Sequence, residues 1–225
     1  MKILLIEPYH TGSHAAWCSG FATHSRHFVS MLTLPGRFWK WRMHGAAVTL
    51  ARRFLAEEYA PDLILTTDML DLTTFLALTR SRTYNTPTAL YFHENQLTYP
   101  LAPGETIDYQ FGFTDITTGL ASQRILFNSH THFDAFFTAL PEFLKMMPEY
   151  RPLWVIDEIR SKAKVLYPGC RFPSEETVFH FPASRPPLII WNHRWEFDKN
   201  PGDFFQALDA VLDRGLDFRL ALLGQ

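Results

Sequence analysis

Two cysteines in 225 residues, Cys18 and Cys170, are too few and too far apart for a disulfide framework or a zinc-binding cysteine cluster. No apolar run approaches the ~20 residues of a membrane span. The N-terminal run Ile3 to Ile6 stops at Glu7, too short for the core of a signal peptide and without a small-residue cleavage site. Excess charge of one sign is lacking too. The 21 Lys and Arg against 23 Asp and Glu give a formal charge of -2. That excludes a strongly basic nucleic-acid module, although a local basic patch on a neutral enzyme stays open. The GxGxxG spacing of nicotinamide-binding turns and the HExxH spacing of zinc peptidases are both missing. His10, His14, His24 and His27 come with no coordinating Cys or Asp at firm spacing, so no metal site is expected. The expected setting is soluble and cytoplasmic, with reduced thiols and no membrane partner.

What the chain does have is apolar residues, 47% of the total, with 15% aromatic. That suffices for one substantial core and is not the profile of a disordered chain. Short apolar runs predict strands at Ile3–Ile6, Leu63–Thr66, Thr88–Phe92, Arg124–Phe127 and Lys164–Leu166, with a further strand at Phe38–Arg42. Helices are expected between them, at about 15–32, 46–58, 70–78, 109–122, from 130 through Phe137, at 140–147 and at 155–162. Alternation of this kind points to an α/β sheet with helices on both faces.

Pro168, Gly169, Pro173, Pro182 and the Pro186-Pro187 pair mark a linker or domain edge. A fresh unit follows, with a strand at Leu188–Trp191, a helix at 201–212 started by Pro201 and capped by Asn200, and a strand at 218–223. The expected division is 1–183 and 184–225. A β-α-β piece of about 40 residues cannot cover both faces of its sheet, so Gln225 reads as a truncation point.

In an open parallel sheet, ligands gather beyond the carboxyl ends of the strands. Polar groups fall there repeatedly: Gly12-Ser13-His14, Asp68, His93-Glu94-Asn95-Gln96 and Asn128-Ser129. Gly12 and Ser13 beside a helix start could present N–H groups to a phosphate or hydroxyl, or form an ordinary capped turn. Four adjacent hydrogen-bonding side chains from His93 to Gln96 suit a hydroxyl-rich substrate, with a structural loop network as the competing reading. Arg37 and the run Phe38-Trp39-Lys40-Trp41-Arg42 could stack a base and hold phosphates, or form a strand of alternating buried Trp and exposed cations. Arg194 and Lys199 follow a strand and precede a helix, where they could neutralise a diphosphate or merely solvate a loop.

The segments IEPYHTGSHAAW, LPGRFWKWRMHGAA, YFHENQLTYP, FNSHTHFDAFF and IIWNHRWEFDKNPGDFFQAL resemble the tRNA-queuosine mannosyltransferase-like family. These are GT-B enzymes of the retaining, glycogen-synthase-like class, and the likeness runs through nearly the whole chain. The resemblance implies an N-terminal Rossmann-like domain followed by the start of a second one. It implies transfer of mannose from GDP-mannose to the cyclopentenediol of queuosine in the anticodon of tRNA-Asp, with retention. No cofactor is implied beyond GDP-mannose as donor substrate, and the partners are a nucleotide sugar and queuosine-modified tRNA.

By the same resemblance, His93 is the histidine beside the donor sugar and the reacting carbon, with Glu94, Asn95 and Gln96 next to it. Gly12, Ser13 and His14 match the glycine loop facing the interdomain cleft. Arg194 and Lys199 match the basic pair on the donor diphosphate, and Asn128 and Ser129 match a cleft-lining pair. Asp115 stands where relatives often carry Asn. Family members continue through a complete second nucleotide-binding domain with an acidic segment that this sequence does not contain. Two alternatives stay open: a related GT-B enzyme with another donor or acceptor, and a non-catalytic tRNA-binding module.

Overall fold

The first strand sets the architecture, because its side chains alternate between two buried faces. In β1 (Lys2–His10), Leu4 and Ile6 pack into a cluster with Leu50 and Phe54, while Ile3 and Leu5 join Cys18 on the opposite face. A strand covered on both sides reads as a continuous apolar run, as parallel strands of α/β sheets do. The structure, a computed structural model, describes residues 1–170 and 185–224.

Six parallel strands form the sheet in the order β2-β1-β3-β4-β5-β6. They are β1, β2 (Phe28–Pro35), β3 (Leu63–Thr67), β4 (Thr88–Phe92), β5 (Arg124–Phe127) and β6 (Ala163–Val165). The helices are α1 (Gly12–His24), α2 (Trp39–Ala56), α3 (Leu72–Leu78), α4 (Arg80–Thr83), α5 (Tyr109–Ala121), α6 (His130–Lys145) and α7 (Trp154–Lys162). The chain reverses its progress across the sheet at β1 and β3, so the crevice beyond their carboxyl ends is the topological switch point.

Burial divides among the covering helices. Met43, Ala46, Ala47, Leu50, Ala51 and Phe54 recur at helical spacing along the buried face of α2. On the later strands, Phe92, Phe127, Phe136, Phe137 and Phe143 build an aromatic cluster with Ile125 and Ile159. Each fully buried Phe contributes roughly 1.5–3 kcal/mol through removal of its ring from water.

The chain divides into two compact units, Met1–Tyr99 with Ile107–Cys170 and a second that combines Pro100–Thr106 with the later residues. In the second, β7 (Leu188–Trp191) pairs in parallel with β8 (Arg219–Leu222), and α8 (Pro201–Asp213) connects them. Asn200 caps α8 through its side chain and Pro201 occupies the first turn, as expected. The expected boundary between residues 183 and 184 lies outside the described residues.

Three local expectations are corrected. Residues 28–35 form a strand, not the end of a first helix, because they pair in register with β1 from Lys2↔Phe28 to Glu7↔Thr33. The run Phe38–Arg42 is not a strand. Trp39 opens α2, whose apolar spacing of three and four residues carries it into the core. Residues 130–145 are one helix despite Pro141. Burial of Phe136, Phe137, Leu140, Phe143 and Leu144 outweighs the backbone hydrogen bond that Pro141 cannot make.

Candidate functional site

The alternation of β1 also positions its only acid. Glu7 shares the parity of Ile3 and Leu5, so it faces α1, and it is fully buried. His14 and Cys18, four residues apart, form the buried side of α1. His14 Nδ1 meets Glu7 Oε2 at 3.0 Å, and Glu7 Oε1 accepts the Tyr9 N–H at 2.7 Å. His93 follows β4 with the parity of Ala89 and Tyr91, which brings it to the same side. Its Nε2 lies 3.9 Å from Glu7 Oε2, and its ring sits 4.2 Å from that of His14. Trp17 stacks on Tyr91 and stands edge-on to His93.

The two histidines differ in charge. Burial works against the His14 cation, but the Glu7 hydrogen bond and the charges of Asp68, Glu7 and Glu94 raise its pKa to about 9. Burial pushes His93 down to about 3, helped by the nearby His14 and His132. His93 is therefore neutral beside an imidazolium, and its buried Nε2 has no hydrogen-bond partner among the described residues.

The backbone of His93 is gripped from both sides. Asp68 Oδ1 accepts its N–H at 2.8 Å, and Asn128 Nδ2 donates to its carbonyl at 2.6 Å. Burial drives the Asp68 carboxyl above its usual range, while the His14 imidazolium and the His93 N–H draw it back. Asp115 is buried behind the loop and accepts the Gln96 N–H at 2.7 Å. Burial holds its carboxyl well above the ordinary value.

Several expected binding residues turn out to organise the loop. Asn95 Oδ1 accepts from the N–H groups of Leu97 and Thr98, and its Nδ2 reaches Thr98 Oγ1 and His132 Nε2. His132 Nδ1 lies 3.1 Å from Asn128 Oδ1, which also accepts from the Ser129 hydroxyl. These contacts fix the neutral tautomer with the proton on Nδ1. Burial agrees, lowering His132 to about 4. Ser129 caps α6 by accepting the His132 N–H. Asn95, Asn128 and Ser129 thus direct their side chains into the protein.

Gly12 and Ser13 are exposed at the first turn of α1. Gly12 has φ +50, and the cap residue Thr11 makes no side-chain cap bond to that turn. With no acidic residue there, the helix end can receive an anion. Arg194 and Lys199 belong to the second unit, on the loop between β7 and α8. Each meets a carboxylate of its own loop: Arg194 pairs with Glu196 and Lys199 with Asp198. An anionic ligand there would have to displace those pairings.

Glu7, His14 and His93 offer one ligand atom each within 4.8 Å of one another, the spacing of a possible cation site. The 3.0 Å contact and the raised pKa of His14 instead describe a carboxylate–imidazolium pair, which a metal could replace only after His14 loses its proton. Sequence reasoning missed Glu7 and His132 as site residues and noted Asp68 only as a polar strand-end group. The alternation of β1 was the signal for Glu7, since an acid on a face otherwise apolar needs a partner.

Residues 2–170 match the family described as tRNA-queuosine alpha-mannosyltransferase N-terminal. A tRNA-queuosine alpha-mannosyltransferase of Drosophila melanogaster is 30% identical over 240 residues, covering 99% of this chain and 61% of the relative. The chain thus spans about three-fifths of that relative's length. Among solved structures, the apo form of the lipopolysaccharide outer core galactosyltransferase WaaB superposes with a TM-score of 0.50 at 10% identity, covering 100% of this chain and 68% of that one. That likeness concerns the fold, and it agrees with a Rossmann-like α/β unit. From its matched N-terminal residues, the chain belongs to the tRNA-queuosine alpha-mannosyltransferase family.

Proposed function

We propose that the chain acts as part of a retaining mannosyltransferase that moves mannose from GDP-mannose to queuosine in tRNA. The observation that carries the reading is the buried Glu7–His14–His93 cluster at the switch point, in a chain that matches the queuosine mannosyltransferase family over residues 2–170. Leaving-group charge must be stabilised as the bond to the anomeric carbon breaks, and fixed positive groups do this without reorganising. The first turn of α1, with the His14 imidazolium behind it, supplies such charge. Neutral His93, its backbone gripped from both sides, orients the donor sugar and the incoming hydroxyl. It needs no proton transfer of its own if the leaving phosphate takes the hydroxyl proton.

The test is transfer of labelled mannose from GDP-mannose to tRNA with and without queuosine. It uses this chain and a fusion that continues it with the remaining length of the fly relative. Label that appears only in queuosine-containing tRNA supports the reading. A folded fusion that transfers nothing to that tRNA, or transfers from another nucleotide sugar in preference, replaces it with a different donor or acceptor.

A further inference from the structure

Acidic residues are missing from Pro8 to Ala56, a stretch that carries Arg26, Arg37, Lys40, Arg42, Arg52 and Arg53. The rest of the chain holds 15 Lys and Arg against 23 acids, so a near-neutral total hides a segregated one. Within this stretch the cap residue and the first turn of α2 each expose an aromatic ring. Phe38 is 75% and Trp41 74% exposed, values that apolar rings reach only where no described residue covers them.

The start of α2 is built to present them. Phe38 sits in the left-handed region at φ 53, an uncommon conformation for a bulky side chain. Its carbonyl accepts the Arg42 N–H at 3.2 Å, and Arg42 Nε donates to the Pro35 carbonyl at 3.1 Å. Trp39 turns the other way, to pack with Tyr9 on Met43, Met69 and Phe111. Gly36 lies so close to Thr11 that a Cβ would fall 2.2 Å from the Thr11 methyl. The platform is therefore pinned to the turn that opens α1, beside Gly12, Ser13 and His14.

We propose that this face binds single-stranded RNA, with Phe38 and Trp41 as stacking surfaces for unpaired bases and Arg37 and Arg42 facing the phosphates. Flat exposed rings interleaved with guanidinium groups, on a segment free of carboxylates, suit a chain of unstacked bases on a polyanionic backbone. The inference deepens the reading of an RNA acceptor and rests on it for the identity of the strand.

Binding of a labelled, unmodified RNA hairpin to the chain tests it by fluorescence anisotropy, with no sugar donor present. Phe38→Ala and Trp41→Ala should each weaken binding about tenfold. Trp41→Phe keeps a stacking face and should restore most of the loss. Arg37→Ala should reduce the slope of log affinity against log salt by about 0.7, the contribution of one phosphate contact. Duplex RNA of the same length, whose bases are stacked away, should bind at least tenfold more weakly. Hairpin binding that the ring variants leave unchanged, or duplex binding as strong as hairpin binding, overturns the platform. Mannose transfer to queuosine tRNA could still stand in either case. Absence of RNA binding by the unaltered chain also overturns it and turns the rings toward a protein surface. A transfer assay that fails while the hairpin results hold removes the enzyme reading and leaves the RNA face in place.

Discussion

His14 Nδ1 and Glu7 Oε2 stand 3.0 Å apart in a place where the carboxylate is fully buried and the imidazole nearly so. The contact ties the end of β1 to the start of α1, and so ties the fold to the site. Replacing Glu7 by Gln keeps the shape and removes the charge. The His14 pKa should then fall from about 9 toward its ordinary 6.5. At pH 7 the loss of linkage is on the order of 2–3 kcal/mol. An NMR titration of the imidazole protons checks the shift, and a denaturant melt checks the stability. A His14 that still titrates near 9 in this variant would assign its charge to Asp68 and Glu94 instead.

The same pair fixes a pH window. His14 is raised in the fold, so its contribution is full below pH 6.5 and is lost as pH rises through about 9. His93 runs the other way. Its folded value is depressed to about 3, so its contribution is present above 6.5 and declines as pH falls toward 3. The stability difference between the unaltered chain and Glu7→Gln should therefore be widest below pH 6.5 and close above pH 9. Melting curves across pH 5 to 10 measure it, and a difference constant over that range would contradict the assignment.

Asp68 offers a separate test of how the loop is held. Asp68→Asn keeps an acceptor for the His93 N–H, whereas Asp68→Ala leaves that buried donor unpaired at a cost of about 1–3 kcal/mol. In the transfer assay, Asp68→Ala should lower kcat at least tenfold with little change in KM for GDP-mannose, and Asp68→Asn should recover most of it. Equal losses in both variants would mean that the carboxylate charge, rather than the acceptor, is what the site uses.

Much of this was readable beforehand where interactions are local or strictly periodic. Thr88–Phe92 and Arg124–Phe127 are strands where the apolar runs place them, and α8 begins at its Asn-Pro signal. The loop at His93 stands at a strand end for the same reason. What escaped was non-local. β2 is a strand because β1 pairs with it, and the mixed run Phe28–Pro35 carries only a faint alternation at Leu32 and Leu34. Phe38–Arg42 alternates aromatic and basic residues and imitates a strand, but Met43, Ala46 and Leu50 downstream draw it into a helix. The hydrogen-bond chain from Asn95 through His132 to Asn128 joins residues up to 37 positions apart, and no spacing within one segment encodes it.

Two glycines in helix interiors should respond to alanine with opposite signs. Gly45 in α2 has open space where a Cβ would go, so Gly45→Ala should gain up to about 1 kcal/mol from helix propensity and reduced freedom of the unfolded chain. Gly112 in α5 has the same propensity to gain, but its Cβ would lie 2.6 Å from the Phe143 ring. That ring is 5% exposed and wedged edge-on against Phe113, so it has little room to withdraw. Overpacking of this kind costs about 1–3 kcal/mol, more than the propensity returns. Gly112→Ala should therefore lower the melting temperature by a few degrees while Gly45→Ala raises it. Adding Phe143→Leu to Gly112→Ala should recover part of the loss, because the smaller side chain vacates the position that the new methyl needs. A double variant that melts lower than the sum of the two single changes would show that the ring and the glycine do not compete for the same space.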